Sequence, residues 1–292
     1  MRGFVRIGVT ALASSLLAAC AAFQSPGAST TPSPSTTASG SASPTPSVSA
    51  SPTPTATPLT TVAVYFLRDG KMVVAHRRVT RGDAVGALAA LMQGPTAGER
   101  SLGLSSAIPI GTQLVFVSWD GPNATVNLSH EYGAPGGTVS TEARLAQVVF
   151  TVTQFAPIKS VSFELDGKPI TAFGSGGIVL DHPVTRATYE QLSPVILIES
   201  PAIGDGVTSP IIVTGTANTY EAVFQIQVLD AGGHAILTQR VQATSGTGTR
   251  GTFSSVITLP ADLHGAATLR AFEYSAKDGS PINTVEVPIT VS

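Results

Sequence analysis

The chain has 292 residues, 42% of them hydrophobic and only 12% charged, about half the charged share usual in globular proteins. Its net charge of −2, from 16 Lys and Arg against 18 Asp and Glu, leaves no basic surplus to neutralise a phosphate backbone, so nucleic acid is not an expected partner. A single cysteine rules out an internal disulfide, a CxxC redox pair and a cysteine-rich zinc site, and no cofactor is expected.

Arg2 and Arg6 precede an apolar stretch from Ile7 to Ala19, too short to span a bilayer as a helix, so residues 1–19 read as a signal peptide. It ends in Leu17-Ala18-Ala19-Cys20, which resembles the lipobox of bacterial lipoproteins, and Cys20 is the expected lipidation site. Two or three acyl chains on that residue would anchor the protein stably, where a single chain is marginal. Residues 20–59 read as a tether: from Gln24 to Pro58 every residue except Gln24 and Val48 is Ser, Thr, Pro, Ala or Gly. Such a segment cannot form a packed core, and its Ser-Pro and Thr-Pro steps favour extended structure with a reach of roughly 100 Å.

Residues 60–192 read as an α+β domain. Thr61–Leu67 and Met72–Val79 flank Asp69-Gly70, a hairpin signal. Asp83 is placed to cap a helix running to about Gln93, with Val85, Leu88, Ala89 and Met92 on one face and Gly94-Pro95 as its stop. A second hairpin is expected around Asp120–Asn123. A longer helix from Thr141 to Phe155 carries Leu145, Val148, Val149 and Val152 at helical spacing, and a third hairpin turns at Asp166-Gly167. The expected architecture is an antiparallel sheet with two packed helices.

Residues 193–292 have another rhythm. Seven short strand-like runs, without a helical stretch, predict an all-β immunoglobulin-like sandwich. In Phe224-Gln-Ile-Gln-Val228 the alternation turns Phe, Ile and Val to one side.

The first of these units resembles the GerM-type sporulation and spore germination domain. The resemblance rests on Val64-Tyr65-Phe66-Leu67, Leu91-Met92-Gln93-Gly94-Pro95, Ser106–Thr112, Ala124–Leu128, Ala146–Thr153 and Leu165-Asp-Gly-Lys168. The second resembles the immunoglobulin-like domain joined to it in bacterial envelope lipoproteins, through Ser200-Pro201, Ser209–Ala217, Tyr220-Glu-Ala222, Gly251-Thr-Phe253 and Glu273–Ser280. These resemblances imply an extracytoplasmic protein of Gram-positive bacteria, a fold similar to ring-building domains and a role in assembling envelope or spore-channel machinery. They imply no catalytic residue.

The residue-level case for chemistry is thin. Asp181-His182 and Ser129-His130-Glu131 have the residue types of a base with its orienter or of a triad, but adjacent residues rarely converge on one substrate, and no Gly-x-Ser-x-Gly elbow occurs. The five histidines never fall in an HxxxH or HExxH pattern, so no metal site is expected. Gly174–Gly177 reads as a turn rather than a phosphate loop. Arg77, Arg78 and Arg81 form a basic spot that suits anionic wall polymer and equally suits an exposed strand face, and Tyr220, Glu221, Lys277 and Asp278 lie in sandwich connections where binding loops sit. Trp119, Tyr132, Tyr189 and Tyr220 are aromatic platforms if exposed and packing residues if not.

The expected function is that of a non-enzymatic scaffold or protein-interaction module, lipid-anchored on the extracytoplasmic face of the cell membrane and extending toward the wall. Its expected partners are the membrane, through the lipid on Cys20, and another envelope protein. Peptidoglycan or wall polymer is the alternative ligand, and a wall hydrolase using His182 or His130 as base is the third reading.

Overall fold

In the computed structural model the described residues are 58–292, so Cys20 and the expected signal peptide lie outside them, as does nearly all of the tether. The first elements are β1 (Thr60–Arg68) and β2 (Lys71–Val79), an antiparallel hairpin closed by Asp69 and Gly70 with φ of 53° and 74°. Two consecutive positive φ values match the twist of the flanking strands, which explains the Asp-Gly pair. α1 (Ala84–Met92) starts at Asp83, whose carboxylate accepts the Gly86 N–H at 3.0 Å.

α1 buries Ala84, Ala87, Leu88 and Leu91 and leaves Ala89 exposed, so its inner face is rotated from the expected stripe. Its sequence, AVGALAALM, is apolar at every position, and periodicity alone cannot choose the face. α2 (Ala97–Ser101) was not expected, although Thr96 and Glu99 form a capping box, a signal readable in sequence.

β3 (Leu114–Asp120), β4 (Asn123–Leu128), β5 (Ser160–Leu165) and β6 (Lys168–Pro169) form one sheet in that order. The sheet is not wholly antiparallel, because β4 and β5 run parallel, joined by α3 (Thr138–Val152). A parallel neighbour needs a long crossover connection, and α3 supplies it. β7 (Ala172–Phe173) and β8 (Ile178–Val179) enclose the glycine cluster, a turn in which the Gly177 N–H donates to the Gly174 carbonyl at 3.1 Å.

α3 buries Leu145, Val148, Val149 and Val152, as their spacing predicts, and also a polar stripe. The Gln147 amide donates to the Tyr65 carbonyl at 2.9 Å and accepts the Ala107 N–H at 2.7 Å. Gln154 donates to the Ala63 carbonyl at 2.7 Å and accepts the Ala63 N–H at 3.0 Å, while the Thr151 hydroxyl accepts the Tyr65 N–H at 3.3 Å. These side chains stand in for a neighbouring strand along the outer edge of β1, whose backbone groups would otherwise be buried without partners. Arg144, also buried in α3, donates to the carbonyls of Tyr132, Ala134 and Ala107.

The carboxy-terminal region is mostly β. β9 (Ile196–Ser200), β11 (Ile211–Ala217) and β14 (Gly251–Ile257) form one sheet in the order β14-β11-β9 once β10 (Gly206–Val207) has joined the other. That other sheet takes β12 (Val223–Leu229), β13 (Ala235–Gln242), β15 (Gly265–Tyr274) and β16 (Pro281–Val291) in the order β10-β16-β15-β12-β13. Phe224, Ile226 and Val228 are buried between the sheets, with Phe224 edge-on to Phe253 at 4.9 Å between centroids. The fold class is therefore α+β followed by an immunoglobulin-like β region. A single apolar cluster runs from Val64 and Leu91 through Leu192 and Ile196 to Phe224 and Val291 without a break between them.

Candidate functional site

Groups distant in sequence converge where β1, β2 and the Thr185–Leu192 segment meet β9 and β11. Arg186 is the hub: its Nη1 donates to Glu199 Oε1 at 2.7 Å, its Nε to the Thr153 hydroxyl at 2.9 Å, and its Nη2 to the Phe150 carbonyl and the Tyr65 hydroxyl at 3.0 Å each. The guanidinium also lies 5.0 Å from the Tyr65 ring centroid and 4.9 Å from that of Phe150. Tyr65 in turn donates to Glu199 Oε1 at 2.5 Å. Burial drives the Tyr65 hydroxyl pKa far above its ordinary value, so it stays a proton donor to that carboxylate.

A second tie joins His76 of β2 to Asp205, in the loop after β9, with Nδ1 and Oδ2 2.6 Å apart; Asp205 also accepts the Ala202 N–H at 2.8 Å. The Arg68 guanidinium donates to the Glu286 carbonyl and the Lys71 ammonium to the Gln191 carbonyl, both at 2.6 Å. Two open cavities flank these ties. One of about 660 Å³ is bordered by Tyr65, Gln154, Arg186, Glu199 and Thr214, and one of about 580 Å³ by His76, Arg78, Asp205 and Thr208. Ser200 borders both.

The residues singled out in the sequence are dispersed. Arg77 turns inward and pairs with Glu99, Nη1 and Nη2 each 2.6 Å from a carboxylate oxygen, with its guanidinium 5.4 Å from the Phe66 ring centroid. Arg78 is exposed at the smaller cavity. Tyr220 is 70% exposed, and its N–H donates to Glu273 of β15 at 2.8 Å; Glu221 follows it with a φ of 52°. Lys277 and Asp278 cap the exposed β15–β16 turn, where hydrogen bonds from the Ser280 hydroxyl and N–H hold the Asp278 pKa below its usual value. No hydrogen bond among the described residues links Arg77 or Arg78 to Tyr220, Glu221, Lys277 or Asp278.

The triad-like clusters are surface pairs. His182 contacts Asp181 at 2.6 Å on an exposed loop, and His130 lies 3.2 Å from Glu131. The Ser129 hydroxyl hydrogen-bonds to Glu131 instead of to an imidazole, which leaves it without an aligned base. Tyr132 and Tyr189 are buried, whereas Trp119 is 48% exposed on β3.

Two carboxylates make a pH-dependent contribution to stability. For Asp83 and Glu99, partial burial by itself would raise the pKa, but hydrogen bonds from Arg81 and Gly86 N–H, and from Arg77 and Thr96 N–H, outweigh it and hold both below their usual values. A carboxyl held low in the folded state contributes stability that is complete above its unfolded pKa, about 4.3 for Glu, and lost as pH falls through the lower folded value. Glu99→Gln should therefore lower the urea midpoint at pH 7, and the gap to wild type should narrow as pH falls below about 4. A gap that stays constant to low pH would remove Glu99 from this account.

Residues 63–171 match the Germane family, described as "Sporulation and spore germination", and residues 195–280 match Gmad2, an immunoglobulin-like domain of bacterial spore germination. None of the curated proteins matches the chain. Among solved structures, a candidate lipoprotein from Clostridium perfringens is 19% identical over 47% of this chain and 93% of its own, with a TM-score of 0.34. The first GerMN domain of the sporulation protein GerM from Bacillus subtilis is 19% identical over 44% of this chain and 98% of its own, at 0.38. The tandem GerMN domains of the same protein are 13% identical over 68% and 61%, at 0.39.

Proposed function

Since the chain carries a Germane domain followed by a Gmad2 domain, neither of them a known enzymatic family, we propose that it is a lipid-anchored extracytoplasmic protein that binds another envelope protein. The observation that carries the reading is the outer edge of β3. This strand ends its sheet, and Phe116 and Trp119 are large exposed apolar side chains on it. Such an edge accepts an extended segment from a partner through main-chain hydrogen bonds, with the flanking side chains supplying selectivity. The bulge that leaves Val115 unpaired breaks the register at the start of β3, so Phe116–Asp120 is the usable stretch. Among the described residues no helix is long and apolar enough to cross a membrane, and anchoring is assigned to Cys20.

A photoreactive side chain at position 116 tests this in cells. One discrete crosslinked envelope protein is expected, lost when Trp119→Lys is added. Crosslinking that persists unchanged in Trp119→Lys, or that arises equally from a probe on β13, would overturn the assignment to this edge. In the same cells Cys20→Ala should release the chain from the membrane fraction; an unchanged membrane-bound fraction would defeat the anchoring argument.

A further inference from the structure

We propose that the amino-terminal end of α3 binds a small oxyanion, a carboxylate or phosphoryl group, with Arg144 as its counter-charge. The observation behind it is a buried cation that lacks an anion. Arg144 is 3% exposed, yet it forms no ion pair among the described residues. Its Nε and Nη1 donate only to neutral carbonyls, and Nη2 has no hydrogen-bond partner among the described residues. Burial lowers the Arg144 pKa, and no carboxylate offsets that loss. A charge taken out of water is costly until it is paired.

The free nitrogen is directed at the start of the helix, as the lean of helical side chains toward the N-terminus requires. Arg144 Nη2, Ser140 Oγ and Thr141 Oγ1 lie 3.2, 3.6 and 3.7 Å from the point that a Cβ on Gly136 would occupy, and glycine keeps that side open. The next residue, Gly137, is the N-cap of α3 and has no side chain to cap it. The N–H groups of Thr138, Val139 and Ser140 are therefore left without an acceptor among the described residues, and no acidic residue stands in the first turn. The β7–β8 turn walls the site. A Cβ on Gly176 would lie 2.7 Å from Thr138 Oγ1 and one on Gly174 2.7 Å from Thr141 Cγ2, so the turn packs its bare backbone against the helix. The Ser175 hydroxyl donates to the Gly136 carbonyl at 3.2 Å. Gly137 to Ser140 are exposed, so a ligand reaches this turn from solvent.

The donor set selects the ligand. A guanidinium edge, three N–H groups and the Ser140 hydroxyl offer hydrogens and positive charge together. A neutral polyol or peptide amide would leave Arg144 unpaired, and a cation would meet no carboxylate. An oxyanion answers both the charge and the open N–H groups.

Thermal unfolding of the detergent-solubilised full chain tests this, with chloride replaced at constant ionic strength by acetate in one arm and by inorganic phosphate in the other. A rise in melting temperature that saturates at millimolar anion is expected in at least one arm, about 3–5 °C at tenfold the dissociation constant. The two arms tell a carboxylate site from a phosphoryl site. Ser140→Asp places a carboxylate of the chain's own at the turn; it should raise the melting temperature in chloride and abolish the response to added anion. Ser140→Ala keeps Arg144 and the N–H groups and should weaken binding by about two- to tenfold. Both anions also act on proteins through general solvation, so the quantity read is the difference between wild type and Ser140→Asp. No saturable difference in either arm, or the same rise in Ser140→Asp as in wild type, overturns the proposal.

Discussion

Replacing Arg186 by Ala should destabilise the protein by about 3 kcal/mol, because breaking a largely buried ion pair leaves its partner charge uncompensated. The loss falls on several groups at once: Glu199 keeps only the Tyr65 hydroxyl, the Phe150 carbonyl loses its extra donor, and two aromatic faces lose their cation. Arg186→Lys should recover less than half of it, since a single ammonium cannot reach Thr153, Glu199, Tyr65 and Phe150 from the positions that the planar fork serves together. Urea denaturation followed by two probes, Trp119 fluorescence for the α+β region and far-UV circular dichroism for the whole, measures the effect. Because the network ties β1 to β9, the two signals should coincide in wild type and separate in Arg186→Ala. A loss below about 1 kcal/mol would mean that the network is solvated and of the strength of an ordinary surface pair.

The other large effect belongs to Gln147. Gln147→Leu keeps roughly the same volume but strands the Tyr65 carbonyl and the Ala107 N–H, both paired to that one amide. A buried carbonyl and a half-buried N–H left without partners should together cost about 2–4 kcal/mol. Gln147→Glu should be at least as damaging at neutral pH, because a carboxylate cannot donate to the Tyr65 carbonyl and would be buried as a charge. If Gln147→Leu were neutral, water must reach the β1 edge, and the amides of Ala63 and Tyr65 would then exchange hydrogen quickly.

These two residues mark where the sequence is legible and where it stops. The Asp69-Gly70 turn, the Asp83 cap and the Phe224–Val228 alternation are local signals, each complete within a few residues, and each corresponds to an element of the fold. The apolar positions of α3 are legible for the same reason. Gln147 and Thr151 lie on that helix at i and i+4, with Gln154 in the turn just past its end, yet polar residues at helical spacing read as a solvated face, and only the position of β1 shows that they pack against a strand edge. The parallel pairing of β4 with β5 is likewise hidden, since strand direction depends on how α3 crosses over. Nothing near His76 announces Asp205, 129 residues away, and nothing near Arg186 announces Tyr65, 121 residues before it. Arg77 shows the converse: adjacent arginines look like a surface patch, but Glu99 on the unexpected α2 draws one of them inward.

The side-chain closure of the β1 edge also dictates an order of events when the chain folds. The β1–β2 hairpin is local and can form within microseconds, but apart from Ser105, which pairs with Leu67, the groups that complete its outer edge arrive from 82 to 91 positions downstream. Until α3 docks, the nascent protein carries a bare apolar edge, Val62 to Phe66, ready to pair with the same strand of another molecule. Slow docking at high concentration therefore favours aggregation over completion, and the yield of folded protein should depend on how quickly the chain beyond Thr138 is made available to the hairpin already formed.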